Sequence, residues 1–412
     1  MNSNQETDYY RWEKWGTATF LVYCASTIFM VFFSTAAVQI WPYPWNRLSI
    51  LVACLLPLLL VLVRKIPGLI RDKELEKHFL FVPVIIILGI LNIVFSEDQS
   101  PTLKVMVLFL ISGIGIFAAT SYLLTTKFRQ KIFLWLCWAL LLALCIYGTL
   151  EYINKKPILL FSFNPIPAGS LLILLFIGPF LLFPSSSWWL RFLQLSSIVF
   201  GVAVIVMIGK RGPVLGLLGM AFLLPALLPW KKLWIIPLIA LILVGTGYKM
   251  RSYLPSTFSK NLITHASTLF RLENYPFAAH IFLQKPLFGI GLHAPLTEYL
   301  QGYRQKITKN GRYPGFIQKK KTLENIILCG FVEMGGLFSI TYIALIIYLL
   351  RNLFRGIRGK PEKRLQVVLF MIPLIGFLFH SMTFDSLIYP HLNWLFHSFL
   401  GLMANFDKIY QP

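Results

Sequence analysis

The chain has 412 residues, of which 57% are hydrophobic and only 13% charged, a balance far from that of soluble domains. That composition predicts an integral membrane protein. Its formal net charge of +22 is spread over many loops, which fits cytoplasmic loops and argues against nucleic acid as a partner.

Residues Met1 to Trp15 are polar and mixed in charge, unlike a cleavable signal, so the first apolar run is expected to stay as an anchor. Twelve apolar stretches are long enough to cross a bilayer: 16–40, 47–63, 79–96, 103–125, 132–150, 168–184, 192–209, 213–229, 233–248, 324–350, 365–384 and 390–406. The predicted fold class is therefore all-α, a single polytopic membrane domain over 1–412. At Lys210-Arg211-Gly212-Pro213, two adjacent cations followed by Gly-Pro divide what would otherwise be one long helix. The five cysteines, Cys24, Cys54, Cys137, Cys145 and Cys329, lie in apolar runs without metal-site or disulfide spacing and read as small buried hydrophobes.

With the N-terminus inside, the inside segments hold 20 Lys and Arg, whereas the short outside loops hold only Arg47, Lys104, Lys155, Lys156, Lys210 and Arg211. The bias predicts that both termini are cytoplasmic. The long insert 251–323, between the ninth and tenth stretches, then lies on the outer side. It carries eleven Lys and Arg against two acids, Glu273 and Glu298, a local charge of +9. Long loops cross the membrane largely regardless of charge, so those cations call for another explanation, and a single-sign field of this kind concentrates anions.

Within the insert, Leu262 to Gln284 has helical spacing, with Leu269, Leu272, Phe277 and Ile281 on one apolar face beside Arg271 and His280. Lys285-Pro286 ends it. Gly289-Ile290-Gly291-Leu292-His293-Ala294-Pro295 follows as a glycine-rich turn, without the spacing or preceding strand of a dinucleotide or P-loop motif. Pro295 to Tyr303 is expected to be a short amphipathic helix with Leu296, Tyr299 and Leu300 facing lipid.

Among residues that could carry chemistry, Lys210 and Arg211 either snorkel to the interface or clamp a diphosphate, Arg211 offering a planar fork at an opening helix N-terminus. Arg271 has no local acid on its own face, since Glu273 is two residues away. Lys285 and His293 are weaker members of the same group, His293 reading more as a turn residue than as a catalyst. Glu324 opens the tenth stretch, where it either complements the helix dipole or serves as a general base toward a hydroxyl. Glu333 reads as a buried structural acid. Asp385, at the outer end of the eleventh stretch, could pair with a clamp arginine or hold a substrate hydroxyl. The flanking His380, His391 and His397 lack metal-site spacing, and no metal is expected.

These features resemble the O-antigen ligase and polymerase superfamily of bacterial envelopes. Gly209-Lys210-Arg211-Gly212-Pro213 resembles its arginine motif. Arg271 with Phe282-Leu283-Gln284-Lys285-Pro286-Leu287-Phe288-Gly289-Ile290-Gly291 resembles its loop signature, and Glu324-Asn325 followed by Glu333-Met334-Gly335-Gly336 resembles its His-Asn helix ending in Glu-x-Gly. Glutamate in place of that histidine is more similar to members that polymerise repeat units.

The resemblance implies glycosyl transfer at the outer face of the bacterial cytoplasmic membrane, from an undecaprenyl-diphosphate-linked glycan donor to a sugar hydroxyl. The acceptor would be a lipid-linked glycan for a polymerase or lipid A-core for a ligase, and a chain-length regulator is a further implied partner. Arg211 and Arg271 would bind the diphosphate with Lys210 and Lys285 assisting, and Glu324 would be the base of an inverting displacement. His293 and Asp385 would be supporting residues. No cofactor is expected. An organic-anion transporter is the rival from another class, although no internal repeat supports it.

Overall fold

A computed structural model of the chain describes residues 16–32, 52–53, 55–61, 77–160, 165–183, 186–227, 234, 238, 274–296, 299–303, 323, 325–356 and 361–406. These residues are helical or in turns, with no strand among them, as the hydropathy predicts. Among the described residues, six helices are long and apolar enough to cross a membrane: Gln99–Leu123 (α3), Lys127–Ile153 (α4), Pro165–Leu182 (α5), Trp188–Ile208 (α6), Gly336–Arg355 (within α10) and Arg364–Ser381 (within α11). Shorter apolar helices include Gly16–Phe32 (α1), Phe81–Val94 (α2), Arg211–Leu227 (α7) and Pro390–Ala404 (α12). Most of the stretch 233–248, part of 47–63, and Arg271 and Glu324 lie outside the described residues.

The expected break after the seventh stretch is present. Helix α6 ends at Ile208, Gly209 takes a left-handed φ of 67°, and α7 begins at Arg211. Glycine is the residue that adopts this conformation at little cost, which is why it closes a helix here.

Helix α12 is buried all round, from His391 to Met403. A helix hydrophobic on every side belongs at the centre of a bundle, and α12 packs against α3 and α10. Most of its polar groups find partners. Trp394 Nε1 donates to Thr27 Oγ1 at 3.1 Å, and Tyr23 of α1 donates to Ser398 Oγ at 2.7 Å. Asn393 Nδ2 donates to the Phe109 carbonyl at 3.0 Å and to Ser112 Oγ at 2.9 Å, where α3 widens into a π-turn over Leu110–Gly115. Such a turn loosens the helical ladder, and the asparagine meets the carbonyl at its start.

Helix α7 packs along α11 (Pro361–Ser381) through glycines. A Cβ on Gly216 would sit 2.8 Å from the Gly376 carbonyl oxygen, and one on Gly376 would sit 2.4 Å from Met220 Cγ. Inside a bilayer, close backbone approach replaces the hydrophobic effect as the main source of helix adhesion, and it needs small residues. This contact fixes the N-terminal end of α7, where Arg211 lies, against the C-terminal end of α11.

The stretch 324–350, expected as one helix, is two. Ile326–Cys329 continues as a π-turn over Gly330–Met334, the chain turns at Gly335 (φ 85°), and α10 runs Gly336–Gly356. The cause is tertiary. Backbone from the glycine-rich turn fills the place where a continuous helix would run, as described below.

Of the described part of the insert, Asn274–Phe282 (α8) and residues 299–303 (α9) are helical. Leu296 and Leu300 do not face lipid as expected. They are 2% and 4% exposed, in a second apolar core with Phe277, Ile281, Ile290 and Val332. An amphipathic helix buries its apolar stripe against whatever apolar surface is nearest, and α8 with the Val332 turn supplies one inside the protein.

Candidate functional site

The site is built on the N-terminal end of α7, the C-terminal end of α11 and two segments of chain that follow α8. Arg211 is the first residue of α7, so its guanidinium sits where the helix dipole and free backbone N–H groups already favour anions. Its neighbour Gly212 lies hard against the end of α11. A Cβ there would be 2.7 Å from both His380 Nδ1 and Thr383 Oγ1. Any larger residue would push Arg211 away from that turn.

The same turn, His380 to Thr383, meets the segment after Glu324. Asn325 Nδ2 donates to the Met382 carbonyl at 2.9 Å and approaches Tyr275 Oη at 3.4 Å. Asn325 Oδ1 accepts from the Ile327 and Leu328 amides at 2.9 and 3.2 Å, an N-cap that starts the helix at this point. Asn274, buried at the start of α8, donates to the Leu323 carbonyl. Thus Asn274, three residues after Arg271, bonds Leu323, the residue before Glu324, while Asn325, the residue after it, bonds the turn packed on Gly212.

A second knot ties the glycine-rich turn to the Glu333 turn. Ile290 N donates to Val332 O and Gly291 N to Glu333 O, both at 3.0 Å; Gly336 N donates to Pro286 O at 2.8 Å and Leu337 N to Leu287 O at 3.2 Å. The two strips of backbone touch without side chains between them. Gly289, Gly291 and Gly335 all have positive φ, and a Cβ on Gly289 would lie 2.5 Å from the Glu333 carbonyl oxygen. The Pro-Leu-x-Gly-x-Gly turn and the Glu-x-Gly-Gly turn, read separately in the sequence, are two halves of one structure.

Several of the predicted residues meet there. The Glu333 carboxylate, 3% exposed, accepts the His293 amide at 2.8 Å and holds that residue in a left-handed conformation (φ 64°), while the His293 ring is exposed. Asp385 follows the turn after α11 and interacts with Cys329, and Cys329 interacts with Glu333. Burial pushes the Asp385 carboxyl up to about 6, partly offset by the Cys329 contact. Lys285 is held by Glu97, Nζ to Oε1 at 2.9 Å, and the Tyr299 hydroxyl donates to the same carboxylate. Both ends of that ion pair are a third or so exposed, so it anchors the loop without adding much stability.

Beside these groups opens a cavity of about 480 Å³ with almost wholly apolar walls, including Phe338, Tyr342, Ile346, Ile375 and Met382, and with Asp385 also in its lining. Three contributors are not evident from sequence motifs. Glu97 and Asn92 belong to a different part of the chain, and Asn325 is visible only as the neighbour of Glu324. A polar residue inside an apolar run, as at Asn92 in Phe81–Val94, is the one local signal that could have pointed to it.

Because burial raises the Asp385 carboxyl, folding favours its protonated form. Its contribution to stability is present below the unfolded-state value near 4 and is lost as pH rises through about 6. Asp385→Asn, which keeps the shape without the charge, is therefore expected to raise the melting temperature at pH 8 and to leave it unchanged at pH 4. Thermal unfolding in detergent at the two pH values checks this.

A multi-helix membrane protein with a polar, motif-built site at one end of its bundle is the class defined here. Residues 196–337 match the family model described as O-antigen ligase, which supports placement in the O-antigen ligase and polymerase superfamily. The matched segment contains Arg211, Arg271, both halves of the backbone knot and Glu324. No curated protein matches the chain. The family and the membrane-spanning helices together indicate a bacterial inner-membrane protein of envelope polysaccharide synthesis acting on lipid-linked glycans.

Proposed function

We propose that the protein is a polymerase that transfers a growing glycan from an undecaprenyl-diphosphate carrier to a sugar hydroxyl on another lipid-linked repeat, at the outer face of the membrane. The reading is supported above all by one juxtaposition. Gly212, beside Arg211, and Asn325, beside Glu324, contact the same turn, His380 to Thr383.

In the proposed reaction the acceptor oxygen attacks the anomeric carbon, and the carbon–oxygen bond to the diphosphate breaks with its electron pair leaving on the phosphate. The anomeric configuration inverts. Glu324 takes the acceptor proton, and Arg211 and Arg271 stabilise the charge accumulating on the diphosphate, with Lys210 adding to the field, while Lys285, paired with Glu97, anchors the loop instead of assisting as the sequence suggests. The apolar cavity next to Asp385 suits the first isoprene units of the carrier, which need apolar walls and leave the diphosphate at the rim. Glutamate rather than histidine at 324 favours the polymerase over a ligase that would use lipid A-core.

The test uses the purified full-length protein in nanodiscs with an undecaprenyl-diphosphate-linked oligosaccharide extracted from the cells that carry it. Chains lengthened by whole repeats are expected, with a loss of about 100-fold or more for Glu324→Gln. Wild-type protein that moved a labelled organic anion across liposomes yet never lengthened the glycan would replace this reading with the transporter.

A further inference from the structure

Asn92 is the polar residue buried in the helix Phe81–Val94, and it is fully inaccessible. An amide carried into such surroundings is unfavourable unless its hydrogen-bonding groups are met. They are met by main chain from two distant segments. Asn92 Nδ2 donates to the Phe288 carbonyl at 2.6 Å and to the Glu333 carbonyl at 2.8 Å, and Asn92 Oδ1 accepts the Leu292 amide at 3.3 Å. One carboxamide thus spans both halves of the backbone knot.

Its position gives these bonds a consequence beyond helix packing. Glu333 O takes two donors, Gly291 N and Asn92 Nδ2, so the carbonyl that joins the halves is fixed from two directions. The carboxylate of that same residue holds His293, and the turn it belongs to continues directly from the helix that Asn325 caps. On the other side, the Lys285–Glu97 pair and the Ser96 hydroxyl, which donates to Ile290 O at 3.2 Å, brace the turn from the residues just after Asn92's helix. Without the carboxamide, the Phe288 carbonyl and the Leu292 amide lose the Asn92 bond, Glu333 O keeps only Gly291 N, and the two segments are held by their backbone hydrogen bonds alone.

We propose that Asn92 is a positioning residue for the transfer reaction: it holds the Lys285–His293 turn against the Glu333 turn and so sets the placement of the helix that Asn325 caps. The proposal rests on the polymerase reading. Asn92 touches neither donor nor acceptor.

The experiment compares Asn92→Leu and Asn92→Asp with wild type in the nanodisc assay, each normalised to folded protein by size exclusion. Leucine keeps the branching and the heavy-atom count of the side chain and removes all three hydrogen bonds. It is expected to lower kcat by about 10- to 100-fold while changing the KM for the lipid-linked donor less than about twofold, as misplacement by a fraction of an ångström would. Protonated aspartic acid still offers one donor and one acceptor. Asn92→Asp is therefore expected to retain activity at low pH and to lose it relative to wild type as pH rises, a dependence that simple loss of packing would not produce.

A kcat for Asn92→Leu within twofold of wild type would overturn the proposal. Where the leucine variant does not fold, the aspartate variant decides: a ratio to wild type that is flat from pH 5 to about 9 overturns it, and a falling ratio supports it. A wild-type protein without transfer activity would instead refute the polymerase reading.

Discussion

Replacing Arg211 with alanine is expected to lower glycan transfer by about 100- to 1,000-fold, the range found when one preorganised donor is removed from a developing anion. Three features make this position sensitive. The guanidinium starts a helix of 17 residues, so it adds to a dipole already aimed at the anion. It is followed by Gly212, whose contact with His380 and Thr383 leaves little room to shift. And a fork of N–H donors matches two phosphate oxygens as a lysine ammonium cannot. Arg211→Lys should therefore fall between alanine and wild type, nearer to alanine. Initial rates from the lipid-linked donor, with folded protein measured in parallel, check the order. Transfer by Arg211→Ala at the wild-type rate would remove Arg211 from the diphosphate site.

The second large effect concerns the fold that carries the site. Gly335→Ala should cost about 3 kcal/mol or more, enough to deplete folded protein in the membrane. The backbone there has φ 85°, and a Cβ would lie 2.4 Å from both the Leu287 carbonyl oxygen and the Phe288 carbonyl carbon. Those atoms are main chain, held by the hydrogen bonds from Gly336 and Leu337, so neither a rotamer change nor a small shift relieves the clash. Gly302→Ala is the matched control, because nothing lies within 4 Å of a Cβ at that residue. Yield of monodisperse protein and melting temperature should separate the two variants clearly. Equal stability for both would mean that the two halves of the knot are not in backbone contact.

Much of the site was legible from residue types and their order. The anion-seeking character of Lys210-Arg211 at a helix start, the glycine-rich turn and the Glu333-Met334-Gly335-Gly336 sequence were each visible as local patterns. Their mutual arrangement was not. Lys285 reads in sequence as a free member of a basic loop, yet its partner Glu97 belongs to the turn after α2. Leu296 and Leu300 have the spacing of a membrane-surface helix, and only the presence of Phe277, Ile281 and Val332 beside them turns that face inward.

The sequence by itself determined that the chain is an all-α membrane protein, where α6 gives way to α7, and the superfamily to which it is related. Hydropathy, Gly-Pro breaks and short motifs act over a few residues, and the chain order carries them in full. Tertiary structure alone decided that the tenth apolar stretch breaks at Gly335 and that Asn92 closes the junction. The bond from Asn92 to Phe288 joins residues 196 positions apart. Whether a buried amide finds its partners depends on which backbone groups the fold leaves unpaired nearby, and a period of 3.6 residues holds no record of that.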